Sequence, residues 1–381
     1  MTTRRTVLAG AAALTAATAA CKTQQVALDA EARGAFPTLP RGSELIGPQP
    51  GIVRLHSNEN PYGPSESALK MMDYAARKGA YYADEAGGVL AAMIAERHGL
   101  SAEQVVISAG SAEALSAIAV VWGQQGPIVA PRLFFDATPM YAKRLGLAEI
   151  QRAPMNDNFT VDFAALEAMV DANTGMVQLC NPNNPTGVLE APDVLKASVK
   201  RMAKQTTVVV DEAYMELTDQ PERHSCIDLV RDGHDVIVSR TFSKLYGLAG
   251  IRVGYVIAQP DTARRIASAA MSWMSGVSYA AAIGCYDDQA FIQRSKQKIL
   301  QGREMVEETL QATGMPYLKS DTNFVFFKSG VAANTLKARL DAQDIRIRGQ
   351  YMDYAEWSRV SMGKLQDVSK FCQALPSAAS A

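Results

Sequence analysis

Between residues 105 and 258 short, unbroken apolar runs alternate with stretches whose apolar positions recur at helical spacing. The runs are Val105-Val106-Ile107, Ile128-Val129, Met176-Val177-Gln178-Leu179, Val208-Val209-Val210, Val236-Ile237-Val238 and Val253 to Ile257. They lack the in-out alternation of a half-exposed strand, so they predict strands covered on both faces, as in a mainly parallel sheet between helices. Helical stretches, notably 112–122 and 190–204, fall between them and give an α/β alternation. After about residue 285 the pattern changes. A charged amphipathic stretch (291–313) leads into a strand at Asn323 to Phe327, a helix over 331–342 and two short β-like runs at 345–348 and 358–362. The expected organisation is a linker and N-terminal arm over 22–64, a large domain over 65–285 and a smaller α+β domain over 286–376.

Composition adds bounds. With 381 residues, 48% apolar and 20% charged, the chain is long enough for two sizeable cores and has the balance of an ordinary globular protein. A net charge of −1 gives no sign of a nucleic-acid partner or of a polybasic membrane patch. No apolar span of about 20 residues follows the N-terminus, so no transmembrane segment is expected in the mature chain.

The first 21 residues differ from the rest. Arg4 and Arg5 stand directly before an Ala/Leu/Val-rich run that ends near Cys21, the layout of an export signal. Paired arginines point to the twin-arginine route, which carries folded proteins, and so to a periplasmic location. The alternative is an alanine-rich tail with two incidental arginines. Cys21 could be a lipidated first residue, although Thr18-Ala19-Ala20 lacks the usual aliphatic residue. Cys180, Cys226, Cys285 and Cys372 form no metal-type spacing; their even number in an exported chain permits disulfides, but their scatter makes buried free thiols the expectation. His56, His98, His224 and His234 show no ligand grouping either, so no metal is expected.

Five segments carry candidate chemistry. In Arg240-Thr-Phe-Ser-Lys-Leu-Tyr-Gly-Leu-Ala-Gly-Ile-Arg252, one lysine lies among small hydroxyls, ahead of a Gly-rich turn and an arginine. That grouping suits a phosphate-bearing aldehyde: Lys244 would form an imine, Thr241 and Ser243 would offer hydroxyls, and Arg252 a forked cation. Val105 to Glu113 reads as strand, glycine turn and helix start, where Gly110, Ser111 and Ala112 would cradle a phosphate or simply make a turn. Cys180-Asn-Pro-Asn-Asn-Pro-Thr-Gly187 closes a buried strand with two prolines that would fix the amide of Asn184. Val208-Val-Val-Asp-Glu-Ala-Tyr214 ends an apolar strand on a carboxylate, which there either meets a cation or caps the next helix. Arg359, in Arg359-Val-Ser-Met, could grip a substrate carboxylate.

In order and spacing these segments resemble the fold-type I pyridoxal-phosphate-dependent aminotransferases, and in particular the histidinol-phosphate aminotransferase branch, with Asn58-Glu-Asn-Pro-Tyr-Gly63 as its N-terminal signature. The likeness runs from about residue 51 to 365. It implies an aspartate aminotransferase-like fold: a large domain with a mainly parallel sheet between helices, plus a smaller α+β domain. It also implies pyridoxal 5'-phosphate as cofactor, a Schiff-base and proton-shuttling role for Lys244, a ring-nitrogen partner in Asp211, and ring-oxygen donors in Asn184 and Tyr214. Gly110, Ser111, Ala112, Thr241, Ser243 and Arg252 would hold the phosphate. The family's stacking aromatic falls on Phe135, with Phe134 the alternative. Tyr82 matches a tyrosine that reaches the partner subunit's phosphate, which implies a homodimer. Arg359, Arg348, Asn60 and Tyr62 fall on the substrate side.

The chain departs from the family at Tyr81-Tyr82-Ala83-Asp84, where Arg-Tyr-Pro-Asp is usual, and at Ser108-Ala-Gly-Ser-Ala-Glu113, where a Gly-Asn-Gly-Ser-Asp-Glu type loop is usual. Both departures bear on the substrate, and export would separate the protein from histidine biosynthesis. The expected reaction moves an amino group from an amino acid or related amine, histidinol-phosphate-like or aromatic, to a 2-oxo acid. A decarboxylase or β-eliminating lyase on the same fold is the alternative. A cofactor-retaining binding protein is a third reading, which the intact residue set argues against.

Overall fold

Eleven strands succeed one another along the described residues: β1 (Val53–Arg54), β2 (Val105–Ser108), β3 (Ile128–Pro131), β4 (Ile150–Ala153), β5 (Met176–Cys180), β6 (Thr207–Asp211), β7 (Val236–Thr241), β8 (Gly254–Ile257), β9 (Phe324–Lys328), β10 (Ile345–Arg346) and β11 (Trp357–Ser361). This computed structural model describes residues 44–271 and 273–380. The export signal read from Arg4, Arg5 and Cys21, and most of the arm expected over 22–64, lie outside the described residues.

β2 to β8 form one sheet in the order β2-β8-β7-β6-β5-β3-β4. Neighbours pair in parallel except at β8, which runs antiparallel to both β2 and β7. The apolar runs have the burial their pattern predicts. Val208, Val210, Val236 and Val238 join one apolar layer, while Val209 and Ile237 between them join the layer on the other face. Successive side chains of a strand point to opposite faces, so a run buried throughout needs cover on both. The helix Ser111–Gly123 supplies part of that cover, and its Trp122 Nε1 donates to Thr207 Oγ1 at 2.8 Å, tying it to β6. The helix Pro192–Met202, with proline in its first turn, buries Leu195, Val199 and Met202. β4 has no continuous apolar run because it lies at the sheet edge and is only half covered.

The later elements are close to expectation. The helix Gln289–Ala312 starts where the Asp288 carboxylate accepts from Phe291 N at 3.0 Å. β9 and β11 pair antiparallel, placing Arg359 opposite Phe326, and β1 pairs in parallel with β10. These elements build a second core from Ile299, Val306, Phe324, Phe327, Leu336 and Phe371. Tyr214 and Leu245 also belong to that core, so the neighbours of Asp211 and Lys244 are packed from both sides.

Residues Val53–Ala381 group into one compact unit. Of the preceding unit, the described part is a turn in which Glu44 N donates to Gln49 Oε1 and Gln49 Nε2 to Glu44 O. Among the described residues no helix is long and apolar enough to cross a membrane.

Candidate active site

The polar residues that interrupt the apolar strands gather at the carboxyl ends of β5, β6 and β7, where ligands of open α/β sheets bind. There a cavity of about 790 Å³ is lined by Asn184, Asp211, Tyr214, Thr241, Ser243, Lys244 and Arg252. Ser111 and Ala112 reach it from the start of the helix after β2, Phe134 and Phe135 from the turn after β3, and Arg348 and Arg359 from the second core.

Asp211 is the last residue of β6, so the parallel pairing that buries the strand also buries its carboxylate; it is 3% exposed, and Oδ1 has no hydrogen-bond partner. Burial pushes its carboxyl up to about 7, against the pull of Lys244 and the Ala213 N–H. A buried carboxylate with a free oxygen leaves room for a further cation or donor at that oxygen. The next helical turn, Met215–Leu217, has Tyr214 and not Asp211 at its N-cap, which goes against the helix-cap reading.

Lys244 follows β7 in a turn held by Gly247 N donating to Lys244 O at 3.1 Å. Burial lowers its amine to about 8, helped by Arg359 and Arg252 and opposed by Asp211 and Glu59. The buried Tyr214 hydroxyl accepts from Asn58 Nδ2 at 2.9 Å and from Asn184 Nδ2 at 3.4 Å, and burial raises its phenol well above the usual range. It therefore stays protonated and has its own O–H to donate.

One wall of the cavity is a cup of hydroxyls, amides and one cation. Thr241 Oγ1 bonds Ser243 Oγ at 2.9 Å, and Arg252 Nη1 donates to Ser243 Oγ at 3.3 Å and to Ala249 O at 2.9 Å. Among the described residues Arg252 has no carboxylate partner. Gly110 has φ +74°, and a side chain there would run into the Arg252 guanidinium; one at Gly254 would run into the backbone of Ser111. Glycine at both positions lets β8 and the helix start approach closely enough for free N–H groups and the arginine to share one concavity. The orphaned Asp211 oxygen, the lysine and this cup fit a phosphorylated pyridine aldehyde. No cluster of three or more His, Cys, Asp or Glu suited to a metal occurs among the described residues.

Residues 50–375 match the family of aminotransferases described as class I and II. The chain belongs to that family. It is 34% identical over 340 residues to histidinol-phosphate aminotransferase 1 of Dechloromonas aromatica, covering 88% of this chain and 92% of that one. Among solved structures it resembles histidinol-phosphate aminotransferase from Sinorhizobium meliloti in complex with pyridoxal-5'-phosphate, with TM-score 0.79, 27% identity and coverage of 91% and 98% of the two chains. Aspartate aminotransferase from Thermus thermophilus shares the fold at TM-score 0.74 and 18% identity, covering 86% and 92%. The aspartate aminotransferase-like fold expected from the sequence is thereby confirmed.

In this aminotransferase β11 carries Arg359 into the cavity. Its Nη1 donates to Asn184 Oδ1 at 2.6 Å and its Nη2 to His56 O at 2.8 Å, while Nε has no partner. Burial lowers this guanidinium from its usual value, with the cation of Arg348 adding to the effect. Phe135 is 38% exposed at the cavity wall, whereas Phe134 packs with Ala130 and Cys180, so Phe135 has the freer ring face.

Four expected site residues do not line the cavity of this chain: Gly110, which lies behind it against the Arg252 guanidinium, and Asn60, Tyr62 and Tyr82. Asn60 is buried, its Nδ2 donating to Leu245 O and Ser295 Oγ, each at 2.7 Å, so its amide ties the Lys244 turn to the helix Gln289–Ala312. The Tyr62 hydroxyl accepts from Leu365 N at 2.9 Å and is likewise a structural tie. Tyr82 is 77% exposed and meets the Trp273 ring edge-on at 4.7 Å. Conversely, His56, Asn58, Glu59, Tyr351 and Met352 line the cavity without having been singled out. Asn58 stood inside the N-terminal signature, but Tyr351 and Met352 lie in a loop with no periodicity or motif to mark it. The four described cysteines are free, with Cys180, Cys226 and Cys285 buried as expected.

Proposed function

We propose that this aminotransferase takes its amino group from an amine bearing an anionic group, histidinol-phosphate-like or aromatic, and delivers it to a 2-oxo acid. The carrying observation is one cavity lined together by Lys244, with its amine lowered to about 8, by Asp211 with its partnerless oxygen, and by the cup built on Arg252. Pyridoxal 5'-phosphate is the cofactor; when bound, it supplies an electron-withdrawing ring that acidifies the substrate α-carbon.

Every other requirement falls to side chains. Asp211 would keep a proton on the ring nitrogen, because a buried anion favours a cationic partner. Tyr214 would donate to the ring oxygen, with Asn58 and Asn184 holding its hydroxyl in place. Ser111, Ala112, Thr241, Ser243 and Arg252 would take the phosphate, and Phe135 one ring face. Lys244 would anchor the cofactor at rest and, once displaced by the substrate amine, carry the proton to and from the α-carbon. A lowered amine pKa suits that task, since a base works best with a pKa near the operating pH. Arg359 and Arg348 would anchor the substrate's anionic group. The relatives named as histidinol-phosphate aminotransferases support this donor class.

Two further readings rest on less. We propose a homodimer in which Tyr82 serves the partner's phosphate cup, because Tyr81, Tyr82, Met271 and Trp273 are all largely exposed and apolar. Sizing by light scattering tests it, and a monomer at working concentration overturns it. Export through the Arg4-Arg5 signal is proposed from sequence, and fractionation of cells making wild-type and Arg4→Lys/Arg5→Lys chains tests it.

The experiment for the main reading is a donor panel with 2-oxoglutarate, including histidinol phosphate and the aromatic amino acids, followed through the cofactor's absorbance. A donor should collapse the resting band, and Lys244→Ala should neither show that band nor exchange amino groups. Exchange at wild-type rate by Lys244→Ala, or release of carbon dioxide or ammonia without a 2-oxo acid requirement, would overturn it.

A further inference from the structure

The strand ends that carry Asp211 and Thr241 are also joined on the side turned away from the cavity, by buried charges that the reaction does not touch. Glu212, next after Asp211, is 0% exposed, and Arg240, just before Thr241, is 5% exposed. Glu212 Oε2 accepts from Arg240 Nε at 3.1 Å, from Arg240 Nη2 at 2.8 Å and from Ser225 Oγ at 2.7 Å, while Oε1 accepts from Cys226 N at 2.6 Å. Arg240 Nη1 also approaches Glu216 Oε1 at 3.5 Å. Both Glu212 oxygens are thus filled, whereas Asp211 Oδ1 is left open.

Two carboxylates on consecutive residues disfavour each other's ionisation, more strongly where water is excluded. Glu212 does raise the Asp211 carboxyl, and Lys244 works against it. Asp211 is also close to Cys180 and Tyr214, both of which stay protonated because burial raises them. Arg240 is faced by Glu212, Glu216 and Tyr255, and its cation lies near His98. The charge that can cancel Glu212 is therefore Arg240, whose planar fork engages the carboxylate and Ser225 together. Stability alone is a weak account of the pair, since a buried ion pair adds little over an apolar pair of the same shape.

We propose that Arg240 is a charge-balancing positioning residue: by neutralising Glu212 it lets the adjacent Asp211 remain ionised, and so sets how tightly the cofactor is held. The proposal rests on the reading of Asp211 as the ring-nitrogen partner. Removing Arg240 leaves Glu212 uncompensated, so Asp211 takes up a proton at higher pH and affinity is lost near neutrality and regained as pH rises. Removing the Glu212 charge leaves Arg240 in excess, and the Asp211 transition moves to lower pH.

The test is the dissociation constant of pyridoxal 5'-phosphate from pH 6 to 9, by absorbance titration of the apoprotein, with melting temperature recorded alongside. Arg240→Gln should bind about tenfold more weakly at pH 7, with its pH midpoint raised by about one unit. Glu212→Gln should lower that midpoint, and the double variant Glu212→Gln/Arg240→Gln should return to within about threefold of wild type. Equal, pH-independent losses in both single variants without recovery in the double variant would reduce the pair to a structural clamp and overturn the proposal. Should Arg240→Gln fail to fold, Glu212→Gln decides, and an unshifted midpoint refutes. Asp211→Asn separates the underlying reading: wild-type affinity with an unchanged pH profile in that variant would overturn the role of Asp211 itself.

Discussion

Lys244 should capture pyridoxal 5'-phosphate at a pH where an ordinary lysine barely reacts. Covalent capture needs the unprotonated amine, and burial lowers Lys244 from 10.5 to about 8. At pH 7 that shift raises the reactive fraction by about 300-fold, each pH unit being a factor of ten. Stopped-flow mixing of apoprotein with cofactor from pH 6 to 10 should give a capture rate that climbs about tenfold per unit and levels off above about 8. The same titration against a simple primary amine gives the intrinsic curve of the cofactor, so the difference belongs to the protein. Two variants set the sign. Arg359→Leu removes the nearby cation that most lowers the amine after burial itself, so its midpoint should move up. Asp211→Asn removes the anion that most opposes the lowering, so its midpoint should move down. A wild-type midpoint at or above 10, or variants moving the opposite way, would refute the reasoning.

The same two groups bear on the apoprotein's stability. Asp211 has its folded pKa raised from 3.8 to about 7, so the folded chain holds the proton more tightly and this contribution falls as pH rises through that window. Lys244 has its folded pKa lowered, so the unfolded chain binds more protons between about 8 and 10.5 and stability returns as pH rises there. Asp211→Asn should therefore raise the apoprotein's melting temperature near pH 7.5 by several degrees, on the order of a few kcal/mol, and calorimetry reads it; a lower melting temperature refutes it. Tyr214→Phe strips the acceptor from Asn58 Nδ2 and Asn184 Nδ2, which should cost about 1–3 kcal/mol in denaturant titration and weaken cofactor binding about tenfold. Gly110→Ala, strained at φ +74° and driven against Arg252, should lose more than about tenfold in cofactor affinity; unchanged affinity would remove Gly110 from the phosphate cup.

The sheet was legible because its strands are buried on both faces, which writes unbroken apolar runs into the sequence; Val208 to Val210 and Val236 to Val238 could be placed without any pairing partner in view. β4 was not, since an edge strand carrying Gln151 and Arg152 is fully buried only at Ala153 and leaves no run. The cavity residues at strand ends were legible for a related reason: a carboxylate or lysine directly after a core strand is conspicuous by its cost. Asn60 and Tyr62 lie off the cavity lining because a motif fixes their neighbourhood and not their direction. The side chains turn toward Leu245, Ser295 and Leu365, contacts separated by 185 residues or more, which no local pattern encodes. Tyr351 and Met352 were missed on the same ground, since their loop reaches the cavity through the packing of β9 against β11.

The charge layout narrows what this aminotransferase accepts. Its cavity has two cationic poles, Arg252 on one side and Arg359 with Arg348 on the other, and Lys244 feels both, since Arg359 and Arg252 each lower its amine. The first pole would be matched by the cofactor phosphate in the proposed arrangement. Among the described residues the second has no acid to match it: Glu59, also at the cavity wall, is engaged by Arg54 at 2.8 Å, and Arg359 spends its hydrogen bonds on the neutral oxygens of Asn184 and His56. A guanidinium buried with neutral acceptors and an unpartnered Nε gains most from a ligand that brings a full negative charge. A donor lacking any anionic group would leave that pole uncompensated, so it should be used more poorly than its carboxylated or phosphorylated counterpart by about 1.5–3 kcal/mol in kcat/KM, a factor of roughly 10 to 150. Comparing histidinol with histidinol phosphate, and a simple arylalkylamine with the corresponding amino acid, measures that difference directly; equal use within each pair would show that the second pole does not anchor the substrate.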